Sequence, residues 1–230
     1  MKIGILAAMA EEVELLVEEM STCTVTHKAH QTFYDGMLKG QTVTLVQSGI
    51  GKVNAALATT LLIEIFSCDL ILNTGSAGGI GTGLAIGDLV IADDLTYYDA
   101  DNGLFDYEPG QIPQMPPSYP VATEWLQQLQ AANTDLFHIK VGQIVTGDSF
   151  VGSADKMARI KKIFPKAQAL EMEGAAVAQT CYQFEVPAVV VRCISDTADD
   201  DASVDFDQFI HEAGRKSAQL VLNCLENQPK

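Results

Sequence analysis

The stretch Pro187-Ala-Val-Val-Val-Arg-Cys-Ile-Ser-Asp196 decides the fold that we predict for this chain. A continuous run of β-branched residues is typical of a strand buried on both faces of a sheet. Ligand sites in such sheets lie just beyond the carboxyl ends of the strands, so we expect Arg192, Ser195 and Asp196 to face a pocket. The alternative is that Asp196 only caps the next segment. Alternation along the strand points Cys193 away from the face of Arg192, into the core.

Strands and helices alternate along the rest of the chain, as apolar periodicity and helix-end signals indicate. The predicted strands are Lys2–Ala7, Thr32–Leu38, Thr42–Gln47, Leu70–Asn73, Asp88–Tyr97, Ile139–Thr146 and Ala188–Ile194. The predicted helices are Ala10–Met20, Lys52–Phe66, Ala122–Ala132, Ala154–Ile163, Glu173–Phe184 and Phe206–Leu225. A hairpin at Lys39-Gly40 makes the predicted sheet mixed. We expect an α/β fold in which residues 1–230 form a single domain.

Acidic residues dominate the charge of the chain. Fourteen Lys and Arg residues stand against thirty Asp and Glu residues, which gives a formal net charge of −16. Nucleic acid and anionic membranes attract proteins with positive surface, and no segment has the length and apolarity of a membrane span. We therefore expect neither nucleic acid nor a membrane as a partner.

The cysteines and the N-terminal segment indicate a cytoplasmic protein. Five cysteines, an odd number, are widely spaced and mostly set in apolar segments, which favours reduced thiols over disulfides. Residues Met1–Ala10 resemble a signal peptide, but their apolar stretch is too short and continues directly into Glu11-Glu12. We predict a first strand followed by a helix there.

Two glycine-rich segments fail as phosphate-binding motifs. Ser48-Gly-Ile-Gly-Lys52 lacks the first glycine of a P-loop, and Val53 replaces the Ser or Thr that holds magnesium. The segment Gly75–Gly83 misses the spacing of a dinucleotide motif. What remains is a predicted tight turn after the strand that ends at Asn73, with Ser76 at its tip. It serves either turn geometry alone or ligand contact.

Carboxylates are the candidates for catalysis, because the four histidines show no metal-binding pattern. Glu12 lies at the apolar edge of the first predicted helix, beside the end of the first strand. Desolvation there would suit it to act as a base. Glu173, in Glu171-Met-Glu173, begins a helix rich in small residues, and we expect it to be partly buried. The alternative is that it only complements the helix dipole.

Six stretches of the sequence carry the strongest indication of function when they are taken together: Ala8–Glu12, Ser48–Lys52, Asn73–Gly79, Thr146–Phe150, Glu171–Glu173 and Val191–Asp196. In this combination and order they resemble the 5′-methylthioadenosine/S-adenosylhomocysteine nucleosidases of the nucleoside phosphorylase superfamily. The resemblance implies a three-layer α/β/α sandwich with a central mixed sheet, a homodimer, and a role in methionine salvage. It also implies hydrolysis of the adenine–ribosyl bond of adenosine thio-derivatives, with no metal and no cofactor.

The resemblance assigns catalytic roles to Asp196 and Glu12. Asp196 would protonate adenine at N7, and Glu12 would activate the water that attacks the anomeric carbon. Ser76 and Arg192 would help to hold that water, and Glu173 would bind the ribose hydroxyls. This division suits an N-glycosidic bond, whose cleavage leaves an oxocarbenium-like sugar and an electron-rich base.

The resemblance also implies the residues that surround the substrate. We expect the segment 99–120, the one long loop, to reach the second subunit, because loops of this length are usually functional or interfacial. Phe150 would stack on adenine, and the Val151 backbone would contact the edge of that ring. Gly78 would lie beside adenine and ribose, Met172 would pack on the sugar, and Ser195 would support Asp196. Met9, Ile50 and Phe206 would line the pocket, and Phe105 with Pro113 would close the partner's site.

Three other functions remain open at this stage. A nucleoside phosphorylase of the same fold needs cations for phosphate, but the chain has only three arginines, and Glu12 would repel phosphate. A hydrolase of futalosine-type nucleosides could use the same residues. A sensor without turnover would not need both Glu12 and Asp196. Departures from the family pattern are Ala7, Ala10 and the acidic cluster 199–201, which leave the preferred adenosine derivative open.

Overall fold

The computed structural model describes residues 1–132, 137–197 and 202–228. Of residues 202–205 it describes the backbone alone. The acidic cluster 199–201 lies outside the described residues. The strands are β1 Ile3–Ala7, β2 Met20–Lys28, β3 Gln31–Leu38, β4 Gln41–Gln47, β5 Leu70–Gly79, β6 Leu89–Tyr97, β7 Tyr119–Pro120, β8 Ile139–Thr146, β9 Ala167–Glu171 and β10 Ala188–Asp196. The helices are α1 Ala10–Glu18, α2 Lys52–Glu64, α3 Thr123–Ala131, α4 Ala154–Ile163, α5 Gly174–Phe184 and α6 Ala202–Glu226.

The strands form one mixed sheet in the order β10-β6-β8-β9-β5-β1-β4-β3-β2, with β7 beside β6. Strands β1, β4, β5 and β10 run parallel, whereas β3 lies antiparallel to β4 and β6 antiparallel to β10. Strand β10 also pairs with β5, so five strands close into a ring. The predicted mixed sheet is confirmed, and the ring adds a feature that the sequence did not reveal.

Both faces of the central strands are buried, which gives the three layers that we expected. Along β10, Val189, Val191 and Cys193 pack into one apolar cluster with α1, α3 and α6. Val190 and Ile194 pack into another cluster with α2 and α5. The placement of Cys193 in the core is thus confirmed. None of the described helices is both long enough and apolar enough to span a bilayer.

Strand β5 differs most from its prediction. We predicted that it ends at Asn73 and is followed by a tight turn, but it continues to Gly79. Its second half pairs with β10 and β9, with Ser76 opposite Cys193 and Gly78 opposite Leu170. The prediction of a turn is wrong because glycine in this strand serves close approach of other groups rather than a change of direction.

Three other strands, β2, β7 and β9, were missed, and several ends moved. Strand β7 has two residues, which pair with β6. Strand β2 is mostly exposed and pairs only with β3, so it carries no apolar pattern. Strand β9 has five residues, which is too short for a clear alternation. The first helix ends at Glu18 rather than Met20, and the last begins at Ala202 rather than Phe206.

Candidate active site

A cavity of about 270 Å³ opens at the carboxyl ends of β1, β5, β9 and β10, where we expected the site. Every predicted site residue lines it except Arg192, Phe105 and Pro113. The predicted residues present are Met9, Glu12, Ile50, Ser76, Gly78, Phe150, Val151, Met172, Glu173, Ser195, Asp196 and Phe206. Residues of the lining that sequence reasoning missed are Ala8, Ala77, Ser149, Leu170 and Glu171.

Glu12 lies on the wall of the cavity with its carboxylate held by four donors. The backbone N–H groups of Ala8 and Met9 donate to Oε2 over 2.9 and 3.2 Å. The backbone N–H and the hydroxyl of Ser76 both donate to Oε1 over 2.9 Å. The residue is buried, with 4% of its surface exposed. Four donors directed at one carboxyl group fix its orientation.

The close approach of Glu12 depends on Gly75. A Cβ atom at Gly75 would lie 2.7 Å from Glu12 Oε1 and 3.0 Å from its carboxyl carbon. Gly75 is in extended strand β5, so the glycine is required by space and not by turn geometry. This residue carries a functional constraint that we had assigned to a turn.

Asp196 lies at the end of β10 and faces the same cavity. The Ser195 hydroxyl donates to Asp196 Oδ2 over 3.0 Å, and Asp196 is almost fully buried. Strand β10 is irregular at this point, between Ile194 and Asp196, where it pairs with Gly78. This irregularity brings both Ser195 and Asp196 to the cavity, although strict alternation would place neighbours on opposite faces.

Arg192 does not line the cavity, so the prediction that it faces the pocket needs correction. Its side chain is fully buried and donates to Asn73 Oδ1 over 2.6 Å and to Glu171 Oε2 over 2.5 Å. Its nearest nitrogen is 3.7 Å from Glu173 Oε2. Arg192 therefore lies behind Glu171 and Glu173, where it pairs closely with Glu171 and is farther from Glu173. A buried guanidinium on an interior strand finds its partners inside the protein.

Glu171 organises the start of α5. Its Oε2 accepts from the backbone N–H groups of Glu173 and Gly174 over 2.9 and 2.7 Å, and its Oε1 accepts from the Thr146 hydroxyl. The same hydroxyl accepts from the N–H of Ala175 over 2.8 Å. Glu171 thereby satisfies N–H groups at the helix start and fixes the backbone that carries Glu173.

Glu173 immediately precedes α5 and is nearly fully buried. Its Oε1 accepts one hydrogen bond, over 2.8 Å, from the backbone N–H of Gly51. Burial, together with the negative charge of Glu171, raises the pKa of Glu173 to about 8, against the opposing effect of Arg192. The raised pKa favours the protonated form of this carboxyl group near neutral pH.

Aromatic and aliphatic side chains form the mouth of the cavity. Phe150 and Ile50 line it and remain 47% and 49% exposed. The rings of Phe150 and Phe206 meet edge to face, with centroids 5.7 Å apart. An exposed aromatic surface at a concave site suits a flat, apolar ring system as ligand.

The long segment 99–120 lies apart from the cavity of its own chain. It contains a 3₁₀ turn at Gly103–Phe105 and ends in β7. Phe105 and Pro113 are exposed and do not line the cavity.

Within the described ranges, no three His, Cys, Asp or Glu side chains are grouped as metal ligands. The cavity brings together two carboxyl groups, those of Glu12 and Asp196, and carboxyl groups can act as general acid or general base.

Comparison with known proteins gives a consistent result. Residues 2–226 match the family model of the phosphorylase superfamily. A 5′-methylthioadenosine/S-adenosylhomocysteine nucleosidase of Staphylococcus aureus is 49% identical over 220 residues, which cover 95% of this chain and 96% of that protein.

Solved structures agree with these sequence matches. The S-adenosylhomocysteine nucleosidase from Streptococcus pyogenes, in complex with 5-methylthiotubericidin, has a TM-score of 0.97 at 43% identity and covers 100% of this chain and 98% of its own. The futalosine hydrolase of Helicobacter pylori has a TM-score of 0.94 at 33% identity and covers 99% of this chain and 98% of its own. The match thus extends over nearly the whole chain.

Proposed function

The chain belongs to the phosphorylase superfamily and, within it, to the 5′-methylthioadenosine/S-adenosylhomocysteine nucleosidases, and from this premise we propose a reaction. The enzyme hydrolyses the N-glycosidic bond of both nucleosides and releases adenine with methylthioribose or S-ribosylhomocysteine. The observation that carries the proposal is the Glu12 carboxylate, fixed by four donors in the cavity that Asp196 also faces.

The bond between adenine N9 and the anomeric carbon breaks, and its electron pair leaves with adenine. Asp196, aligned by Ser195, donates a proton to N7, so adenine departs as a neutral molecule. Water adds its oxygen to the anomeric carbon, and Glu12 takes the proton that the water loses. Ser76 keeps the Glu12 carboxylate aimed at the water.

The remaining residues bind the two ends of the nucleoside. Phe150 and Phe206 hold the adenine ring, and the Val151 backbone reads its edge. Glu173 binds the ribose hydroxyls, and Met172 packs on the sugar. Met9, Ile50 and Gly78 complete the cavity wall.

We also propose a cytoplasmic homodimer in which residues 1–230 of each subunit form one domain. In this arrangement, the segment 99–120 of one subunit places Phe105 and Pro113 against the 5′-thioalkyl group bound by its partner. Phe105 and Pro113 are exposed, and so is Leu104, which precedes Phe105 in the chain. This exposure supports the assignment, because large apolar side chains grouped at a surface usually mark an interface with another protein.

Phosphorolysis is the weaker alternative. A phosphate ion needs a cationic cradle, but the Arg192 guanidinium is already bound to Asn73 and Glu171. Hydrolysis of a futalosine-type nucleoside is the second candidate, and the futalosine hydrolase with the same fold favours testing it.

The experiment is to measure adenine release from methylthioadenosine by purified protein, with and without phosphate. We expect release in both buffers, and a loss of about 10²- to 10⁴-fold in Glu12→Gln and in Asp196→Asn. Glu14→Gln, an exposed glutamate on the same helix, is the matched control and should retain full activity.

Strict dependence on phosphate would make the protein a phosphorylase instead. Futalosine cleaved in preference to methylthioadenosine would support the second candidate. Tight binding without release would indicate a sensor.

A further inference from the structure

An ion-paired cluster of Lys52, Asp99 and Asp148 lies outside the cavity and joins the start of α2 to two loops. Lys52 Nζ lies 2.8 Å from both carboxylate oxygens of Asp99 and 3.7 Å from Asp148 Oδ2. The Lys52 backbone N–H donates to Asp148 Oδ1 over 2.8 Å, and the Asp148 N–H donates to Asp99 Oδ2 over 2.9 Å. The ammonium group also lies 5.3 Å above the Tyr97 ring. Lys52, Asp99 and Asp148 thus each contact the other two.

Local helix preference does not explain Lys52. It is the first residue of α2, where a positive charge opposes the helix dipole, and the first turn of α2 contains no acidic residue. The preceding Gly51 offers no capping side chain and has a φ angle of +99°. Instead, the Asp148 carboxylate accepts from the first helical N–H and pairs with the lysine. A Cβ at Gly51 would lie 3.1 Å from Asp148 Oδ1, so the glycine admits this contact.

Each member of the cluster directly adjoins a part of the proposed site. Lys52 follows Ile50, which lines the cavity, and Gly51, whose N–H donates to Glu173. Asp148 precedes the segment 149–151, which forms the wall around Phe150. Asp99 begins the segment 99–120.

From these contacts we infer that Lys52, Asp99 and Asp148 form a positioning clamp that fixes the adenine-side wall of the cavity relative to its sugar-side wall. This inference rests on the proposed function. The three residues, which we call the Lys52 clamp, touch no reacting atom and are absent from the cavity lining. The clamp acts through Phe150 on one side and through Gly51 and Glu173 on the other.

The clamp has a kinetic consequence that separates it from catalytic residues. We expect the walls that it holds to contact the nucleoside equally before and during bond cleavage, because the proposed proton transfers involve Asp196 and Glu12 instead. Loss of the clamp therefore weakens uniform binding, which raises KM and leaves kcat nearly unchanged. We expect Lys52→Met to raise KM for methylthioadenosine by roughly three- to tenfold, the range typical of coupled charge networks, while kcat changes by less than about twofold.

Three further variants make the kinetic test specific. Lys52→Arg keeps the charge and should restore at least half of the lost affinity. Lys52→Met combined with Asp99→Asn should be little worse than Lys52→Met alone, because both remove one interaction. Lys39→Met is the matched control: Lys39 forms a comparable ion pair with Glu19, over 2.6 Å, neither residue lines the cavity, and the loss of this pair should leave KM unchanged.

Hydrogen exchange of the protein without substrate tests the clamp independently of any activity. In Lys52→Met, the amides of Lys52 and Asp148 and those of 149–151 should exchange faster than in the wild type, and in Lys39→Met they should not. Unchanged exchange and unchanged KM in Lys52→Met would overturn the clamp, as would a fall in kcat with unchanged KM. If the wild type releases no adenine, the proposed function fails, whereas the exchange result still decides whether the clamp exists.

Discussion

Glu12 and Glu173 line the same cavity and are buried to almost the same degree, with 4% and 7% of their surfaces exposed, but their surroundings differ. The region around β1, α1 and β5 directs four neutral donors at Glu12. The region around β9, α5 and β10 gives Glu173 one backbone donor and places the carboxylate of Glu171 beside it. Arg192 offsets that charge only in part, since it is shared with Glu171.

The comparison shows that two carboxyl groups buried to a similar degree differ in the groups that surround them. Four donors hold the Glu12 carboxyl group in one orientation. Glu173 has one such donor, and burial together with the charge of Glu171 raises its pKa to about 8, which favours the protonated form near neutral pH. The proposed ribose hydroxyls would then supply the missing hydrogen bonds. One glutamate is thus prepared before the substrate binds, and the other depends on the substrate.

The largest effect is expected at Gly75, where the arrangement around Glu12 can be broken without changing a charge. In Gly75→Ala the new methyl group displaces the Glu12 carboxylate, and we expect kcat to fall about 100-fold, within the contribution typical of a general base. Gly4→Ala is the control, because its Cβ would approach Ile71 Cδ1 equally closely, at 2.7 Å, but within the core. It should lower the melting temperature and leave kcat intact. Equal kcat in the two variants would contradict the role of the four donors.

A smaller effect is expected in the stability of Glu173→Gln. Because the pKa of Glu173 is raised above its usual value of 4.5, the folded wild type binds the proton more tightly than the unfolded chain. Its contribution to stability is full below about pH 4.5 and is lost as the pH rises through about 8. Glutamine carries no such charge, so the variant should gain up to about 4 kcal/mol relative to wild type between pH 5 and 9. Chemical denaturation at both pH values checks this, and parallel pH dependences of the two proteins would contradict it.

The smallest effect is expected for Glu171→Gln, which removes a charge that raises the pKa of Glu173. If ribose binds to the ionised form of Glu173, kcat/KM of the wild type should increase with pH up to about 8. In the variant this increase should move to lower pH by about one unit, which corresponds to about a tenfold difference in kcat/KM at pH values well below both midpoints. The full pH profile of kcat/KM is the measurement. A uniform decrease at every pH would instead assign Glu171 a purely structural role.

The sequence predicted the buried strands and the helices well, because their apolar patterns are strong. The run at 188–194 was read correctly as a doubly buried strand, and β10 extends it to Asp196. Strand β2 was missed because an exposed edge strand has no core-facing pattern. Strand β5 was cut short because glycines that admit neighbouring groups look, in sequence, like glycines of a turn.

The members of the cavity could be predicted largely through the family resemblance, whereas their interactions could not. Glu12 stood out from its position at an apolar helix edge. The functions of Gly75 and Glu171 depend on contacts between elements that are distant in the sequence, which no local pattern encodes. Arg192 was misplaced because the sequence showed it beside Asp196, and only the structure reveals that its partners are Asn73 and Glu171.

The central claim is that Asp196 acts on the base and Glu12 on the water, and one substrate separates these roles most directly. A 4-nitrophenyl glycoside of 5-methylthioribose has a leaving group that departs without a proton, so it does not need an acid. The measurement is its cleavage rate in Asp196→Asn and Glu12→Gln, each relative to wild type. We predict that Asp196→Asn cleaves it at nearly the wild-type rate, whereas Glu12→Gln remains slower by about 100-fold or more. Equal impairment of both variants on this substrate would contradict the assignment.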